Sequence, residues 1–167
     1  LTTRATKNAA ALQDAIREQG GEAMTVELDL VSEASIAQAF AQQGDRVAIE
    51  EGVVELDAAA GPPGSTVRHL LAHTSGYSMN SDQLASEPGK RRVYSNYGFA
   101  VAAEAVAREA SIEFGHYLAE AVFEPLGMRA SEFRGGSQAA GYGGSSTVAD
   151  LALFAADLLR PALVSEQ

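Results

Sequence analysis

The segment from Asn96 to Ala110 constrains the fold of this chain more than any other, because it is apolar over most of a helical circumference. It is rich in alanine and has few polar side chains to interrupt its surface. A helix without a continuous polar face has to be covered by other elements. The sequence therefore predicts a helical domain with this segment in its interior.

Other segments of the second half predict further helices. A short helix over 67–73 follows a GPPG turn, and Ser65 or Thr66 would cap it. An amphipathic helix over 114–123 would end at Pro125. The second half is therefore predicted to be mainly α.

The last predicted helix is preceded by a loop. Residues 135–146 are rich in glycine and serine, which is typical of a loop. Thr147 and Asp150 have the spacing of a capping box, so a helix should begin there and continue through Leu159.

The N-terminal part predicts alternating helices and strands. An apolar stripe indicates a helix over 5–19, and a β-prone run indicates a strand over 24–30. Ser32 would cap a second helix, the Gly-Asp pair at 44–45 would break it, and 46–49 would form another strand. This order is typical of a parallel β-α-β unit.

Composition excludes several classes of function. The chain has 167 residues, enough for one ordinary domain or two small ones, and contains no cysteine, which rules out disulfides, thiolate catalysis and cysteine-ligated metals. A formal net charge of −10 disfavours nucleic acid as a partner. No apolar run approaches the ~20 residues of a membrane-spanning helix, so no membrane partner is predicted. No cofactor is predicted, and localisation stays open.

Residues from about 50 to 165 carry a series of motifs. They are VVELDAAAGPPGSTVRHLLAHTSGY, then Tyr94-Ser95-Asn96, then FEPLGM, then GYGGSSTVADLALFAADLL. This series resembles the family of serine β-lactamases, penicillin-binding proteins and related esterases. The resemblance implies an α+β fold that is mainly α, in which 49–167 form the helical part of a β-lactamase/DD-peptidase-like domain.

The same resemblance implies an active site. In that family the serine of an S-x-x-K motif attacks an acyl carbon, and the lysine lies one helical turn away. Tyr94 would shuttle a proton opposite that serine, and Asn96 would donate its amide to the lysine or to substrate. Ser75 and Gly76 would order the loop beside the cleft and bind substrate. The implied substrate is a small acyl compound such as a β-lactam or an ester.

The S-x-x-K motif itself is absent from the chain. The two lysines are Lys7 and Lys90, and neither has a serine three positions earlier. The later Lys-Thr-Gly type of motif is absent as well. We therefore expect a partial serine hydrolase that is inactive alone. The alternative is a non-catalytic folded module that self-associates as a homo-oligomer through exposed apolar surface.

The first 48 residues resemble another family. LTTRATKNAAALQDAIREQGGEAMTVELDLVSEASIAQAFAQ is similar to the region around the second and third strands of short-chain dehydrogenases. The resemblance implies that Arg4 binds the 2′-phosphate of NADP and that Asp29 lies near the adenine. The glycine-rich turn and the Tyr-x-x-x-Lys motif of that family are absent. An NADP-binding fragment is a further alternative.

Two relations between the halves stay open. The chain is either a chimera of a β-α-β segment over 1–48 and the helical segment that follows, with a junction near 44–52, or a helical domain whose core the N-terminal helices complete.

Two clusters have competing interpretations. His69 and His73 have the i, i+4 spacing of a metal pair, but without a third ligand they are more simply polar helix residues, so no metal site is predicted. His73 would act near the helix end as a capping donor. The basic run from Lys90 to Arg92 fits either a carboxylate contact beside Tyr94 or a solvated loop.

Overall fold

Helices dominate the structure. This computed structural model describes residues 33–164, so the elements predicted at 5–19 and 24–30, together with Arg4, Asp29 and Ser32, lie outside the described residues. The elements in chain order are α1 (Glu33–Glu50), α2 (Val67–Leu71), α3 (Asn96–Ala110), α4 (Phe114–Leu118), a π-helical turn (Ala119–Phe123), α5 (Glu124–Leu126), β1 (Glu132–Phe133), a 3₁₀ turn (Ser137–Ala139), β2 (Gly144–Ser145) and α6 (Val148–Leu159).

Phe40 of α1 lies at the centre of the core. Its ring is fully buried and meets Phe123 edge-on at 5.0 Å and Phe154 edge-on at 5.1 Å. Edge-to-face aromatic pairs at this separation add stability beyond the area that they bury. Phe40 therefore joins α1 to both the π-helical turn and α6.

The prediction of a break at 44–45 and a strand at 46–49 is wrong, because α1 continues through these residues to Glu50. Gly44 packs closely against α4: a Cβ atom there would lie 2.4 Å from Cδ2 of Leu118. The glycine serves a close helix–helix approach and not a turn. The predicted junction near 44–52 falls largely within this continuous helix.

The prediction of a buried helix over Asn96–Ala110 is confirmed as α3. Phe99, Ala103 and Val106 are among its buried residues. Ser95 is the cap, since its Oγ accepts from the Gly98 N–H at 2.9 Å. The covering elements are α1, α2, α4 and the 3₁₀ turn.

The prediction that Pro125 ends its helix is wrong. The helical segment that begins at Phe114 passes through the π-helical turn and α5, and it ends at Gly127, whose φ is 72°. A π-helical turn shifts the hydrogen-bond register. The wider turn places Pro125, which has no N–H to donate, where the helix can still continue.

The predicted helix over 67–73 and the predicted loop over 135–146 are both present, but their observed structure differs in detail from the prediction. Helix α2 ends at Leu71, two residues earlier than expected, and Thr66 is its cap. The predicted loop over 135–146 contains the 3₁₀ turn and β2. Strand β2 pairs antiparallel with β1, with Glu132 opposite Ser145 and Phe133 opposite Gly144.

Helix α6 begins after Thr147 as predicted, and Thr147 Oγ1 accepts from the Asp150 N–H. The Asp150 carboxylate does not complete a capping box. It accepts instead from the Ala130 N–H and from the Ser131 hydroxyl, both at 2.8 Å.

The outer face of α6 is entirely apolar. The helix contains two polar residues, Asp150 and Asp157, and both are buried. Asp157 accepts from Gln43 Nε2 at 3.2 Å and from the Ala162 N–H at 2.8 Å. The residues left on the exposed side of the helix are Val148, Ala149, Ala152, Leu153, Ala156 and Leu159.

Asp45 is a buried carboxyl without a hydrogen-bond partner in the described residues. It is 1% exposed, and neither carboxylate oxygen is paired. Burial raises its pKa to about 8, because the charged form loses water and gains nothing in exchange. The Tyr117 hydroxyl is also buried and has no hydrogen-bond partner among residues 33–164.

None of the helices within residues 33–164 has the length and apolar character needed to cross a membrane.

We expect Gly44→Ala to destabilise the protein although alanine has the higher helix propensity. The added methyl would overlap Leu118, and overpacking of this kind costs about 1–3 kcal/mol. Urea denaturation of the variant measures the change in the free energy of unfolding. Gln42→Ala, on the same helix and partly exposed, is the control and should be near neutral. A more stable Gly44→Ala protein would contradict the close packing.

We expect the stability of the wild type, relative to Asp45→Asn, to fall as the pH rises from about 4 to about 8. In this window the folded carboxyl keeps its proton while the unfolded one, with its ordinary pKa of 3.8, has lost it. The free energy of unfolding then falls by at most about 1.4 kcal/mol per pH unit. Thermal melts of both proteins across this range test it, with the exposed Asp82→Asn as control. Parallel pH profiles for the wild type and Asp45→Asn would refute the buried neutral carboxyl.

Candidate active site

Tyr94 and Asn96 lie at the start of α3, on either side of its cap Ser95. The Tyr94 side chain is 40% exposed, whereas Ser95 is 1% exposed. The Ser95 hydroxyl donates to the Ser78 carbonyl at 2.7 Å as well as capping the helix. Because Ser95 performs the capping, the amide of Asn96 is free for other partners.

His73 anchors the segment that carries Tyr94. Its Nδ1 accepts from the Ser95 N–H at 3.1 Å, and its carbonyl accepts from the Val93 N–H at 2.7 Å. Its ring packs 4.9 Å from the Tyr94 ring and 5.1 Å from the Phe99 ring. These contacts fix the backbone on both sides of Tyr94.

The prediction that His73 caps a helix end as a donor holds for its backbone, whose N–H donates to the Leu70 carbonyl at 3.1 Å, and not for its ring, whose Nδ1 accepts from the Ser95 N–H. Helix α2 has already ended, and the His73 backbone is left-handed with a φ of 57°. Burial, with a smaller contribution from the positive charge of Arg92, lowers the pKa of His73 to about 4. The neutral ring is therefore an acceptor at Nδ1, which matches its hydrogen bond to Ser95.

The Asn96 amide is the centre of a side-chain network. Its Oδ1 accepts from Gln38 Nε2 of α1 at 2.8 Å, and its Nδ2 donates to Asn80 Oδ1 at 2.9 Å. Gly141 approaches so closely that a Cβ atom there would lie 2.8 Å from Asn96 Cβ. The network thus joins α1, α3 and two loops at one point.

Ser75 and Gly76 order the loop that follows α2. Ser75 is 1% exposed, and Gly76 has a φ of 93°. A Cβ atom on Gly76 would lie 2.3 Å from the Ser86 carbonyl oxygen, so only glycine fits there. This geometry agrees with the loop-ordering role, and direct contact of either residue with substrate stays a prediction.

His69 and His73 have separate roles. His69 Nδ1 accepts from the Thr66 N–H at 3.2 Å, which closes the start of α2. Between residues 33 and 164, no three histidine, cysteine or acidic side chains are grouped as a metal site. Lys90, Arg91 and Arg92 are exposed, and Arg91 donates to the Ala85 carbonyl.

Gln38 is a site residue that sequence reasoning missed. The S-x-x-K motif has a lysine three positions after its serine, and position 38 carries glutamine. The available signal was the run Ser35-Ile36-Ala37-Gln38, which has the same spacing and lies within α1.

The arrangement offers hydrogen-bond donors and acceptors beside an exposed phenol. The Tyr94 hydroxyl can give or take a proton, and the amides of Asn96 and Gln38 can orient a carbonyl or an amide. No lysine contacts Asn96 within the described residues, where Lys90 is the single lysine and lies in an exposed loop.

The comparisons with known proteins agree with this fold. A beta-lactamase from Mycobacterium bovis, known from its crystal structure, is 62% identical with a TM-score of 0.80; the match covers 81% of this chain and 50% of that one. The chain therefore spans about half the length of that relative. No curated protein sequence matches the chain.

More distant structures share the fold. A penicillin-binding protein from Bacillus halodurans is 21% identical with a TM-score of 0.69, covering 78% of this chain and 59% of that one. An octameric penicillin-binding protein homologue from Pyrococcus abyssi is 20% identical with a TM-score of 0.66, covering 78% and 45%.

The family model described as Beta-lactamase matches residues 46–167, which is most of the chain. The resemblance of the second half is thereby confirmed, while the resemblance of the N-terminal part to short-chain dehydrogenases has no support from these comparisons. The chain belongs to the beta-lactamase family.

Proposed function

We propose that this chain carries the acyl-binding part of a serine hydrolase site of the β-lactamase, DD-peptidase and esterase type. Tyr94 and Asn96 would contact the substrate, which is a small β-lactam or ester. The observation that carries the proposal is the network around Asn96, which holds its amide beside the exposed Tyr94 on a beta-lactamase fold.

The same network argues against turnover by this chain. A cation beside the phenol and the nucleophile would favour their ionised forms. Here the group on Asn96 Oδ1 is the Gln38 amide, which is neutral and cannot take up a proton at neutral pH. The site would therefore bind acyl compounds and not hydrolyse them.

The second candidate function is a non-catalytic module that self-associates with a second copy of this chain. The apolar outer face of α6 favours it, since Val148 is 81% exposed and Leu159 is 65% exposed. A net charge of −10 makes two copies of the chain repel each other, so the surface that they bury between them has to be apolar. A pair of α6 helices related by two-fold symmetry would cover both faces.

We expect the wild type to bind penicillin G and to leave nitrocefin unhydrolysed. Asn96→Ala should weaken binding roughly tenfold, the loss of about one hydrogen bond. Calorimetric titration measures the affinity, and the exposed Gln83→Ala is the control. An Asn96→Ala protein that binds as tightly as the wild type, or a wild type that does not bind, would refute the proposal.

We expect light scattering to give a mass above the monomer's 17.4 kDa at high protein concentration. Leu153→Glu combined with Leu159→Glu should restore the monomer, because charges on an apolar interface have to be desolvated. Leu84→Glu, at another exposed leucine, should leave the mass unchanged. A monomeric wild type at every concentration would remove this candidate.

A further inference from the structure

His73 occupies a backbone position that glycine usually takes. Two hydrogen bonds reach back into α2 at its end: the His73 N–H donates to the Leu70 carbonyl at 3.1 Å, and the Thr74 N–H donates to the His69 carbonyl at 2.7 Å. This pattern places a left-handed residue just after the helix, and glycine is its usual occupant. His73 adopts that conformation with a φ of 57°. Because a side chain makes the left-handed region costly, a histidine here points to a role for its imidazole.

The imidazole is held in one orientation between aromatic neighbours. His73 is 6% exposed, and its ring lies 4.9 Å from the Tyr94 ring and 5.1 Å from the Phe99 ring. Its Nδ1 accepts from the Ser95 N–H at 3.1 Å. A single ring therefore fixes the backbone where the chain passes from the exposed Tyr94 into α3.

The Ser95 N–H needs an acceptor without a proton. Ser95 is 1% exposed, so its N–H has little access to water, and a buried donor that loses its partner is destabilising. A protonated imidazole carries N–H groups at both nitrogens and cannot accept.

The surroundings of the His73 ring keep it neutral. The charged or titratable groups that face the ring are the Arg92 guanidinium and the Tyr94 phenol, and no acidic side chain between residues 33 and 164 offsets them. Burial first, and then the positive charge of Arg92, lower the pKa of His73 to about 4. The contact with Ser95 is therefore complete at neutral pH and is lost in acid.

We infer that His73 is an acid-sensitive positioning residue of the ligand site: its neutral ring holds the Ser95 N–H beside Tyr94, and a proton on Nδ1 breaks this hold and weakens ligand binding. The inference rests on the proposed function, in which Tyr94 and Asn96 contact the ligand. Ser95 lies between these two residues in sequence, so a displacement of its backbone moves both contacting groups together.

The first test needs no ligand. In an NMR titration of the full chain from pH 7 to pH 3, the His73 ring and the Ser95 amide resonances should shift with one shared midpoint near pH 4. In His73→Asn the Ser95 amide should show no such transition, because an amide side chain accepts a hydrogen bond without titrating. A Ser95 amide that does not follow the His73 ring would overturn the inference.

The second test separates the acceptor from the backbone conformation. Asparagine and glycine both tolerate the left-handed region, but only asparagine has a side-chain oxygen that can accept from Ser95. His73→Gly should bind penicillin G at pH 7 roughly tenfold more weakly than the wild type, the loss of about one hydrogen bond, and His73→Asn should stay within about threefold. His116→Asn, at an exposed histidine of α4, is the control and should match the wild type.

The third test measures the acid sensitivity of binding. The ligand is the methyl ester of penicillin G, which has no carboxylate to titrate. Its affinity for the wild type should fall about tenfold between pH 6 and pH 3, because only the fraction with a neutral His73 is competent to bind. Its affinity for His73→Asn should not change across this range.

Equal binding by the wild type and His73→Gly, or the same acid loss in His73→Asn, would overturn the inference. A wild type that binds neither compound at pH 7 would instead refute the proposed function. The ligand-free titration of the Ser95 amide would then still decide whether His73 holds this segment.

Discussion

The burial of Phe40 between Phe123 and Phe154 is the contact on which the rest of the architecture depends. It fixes the rotation of α1 about its own axis, because a ring buried on every side allows one orientation only. With that rotation set, Gly44 lies against Leu118 and Gln38 is directed toward Asn96. The geometry of the site is therefore a consequence of aromatic packing two residues away from it.

The polar part of the site depends on a second anchor. His73 is neutral, accepts from the Ser95 N–H and supports the Tyr94 ring. Ser95 in turn caps α3 and binds the Ser78 carbonyl, so one buried serine connects the loop after α2 to the start of α3. These bonds have little access to water, and a buried polar network whose groups are paired specifies one geometry.

The sequence was sufficient to predict α3 and the start of α6, because each depends on a local pattern: an apolar circumference and a capping residue. The short Tyr94-Ser95-Asn96 motif indicated where a site would lie, and its role stays a prediction. It was insufficient at Gly44 and Pro125, where tertiary contact and a π-helical turn override the usual meaning of glycine and proline. Gln38 was missed for a related reason. Its partner Asn96 lies 58 residues away, and the local signal was limited to the spacing of Ser35 and Gln38.

Helix α6 buries two aspartates beside the core residues Leu151 and Phe154 and exposes only apolar side chains, and this affects how the segment tolerates mutation. The buried carboxylates of Asp150 and Asp157 accept hydrogen bonds from the backbone N–H groups of Ala130 and Ala162. In an ordinary amphipathic helix, acidic residues exchange freely and leucines do not. Random mutagenesis of α6 should find the two aspartates intolerant of replacement, whereas the fold of one copy should accept replacement of Val148 and Leu159, which only self-association would require. Hydrophobicity alone is therefore a poor guide to which positions of α6 the fold requires.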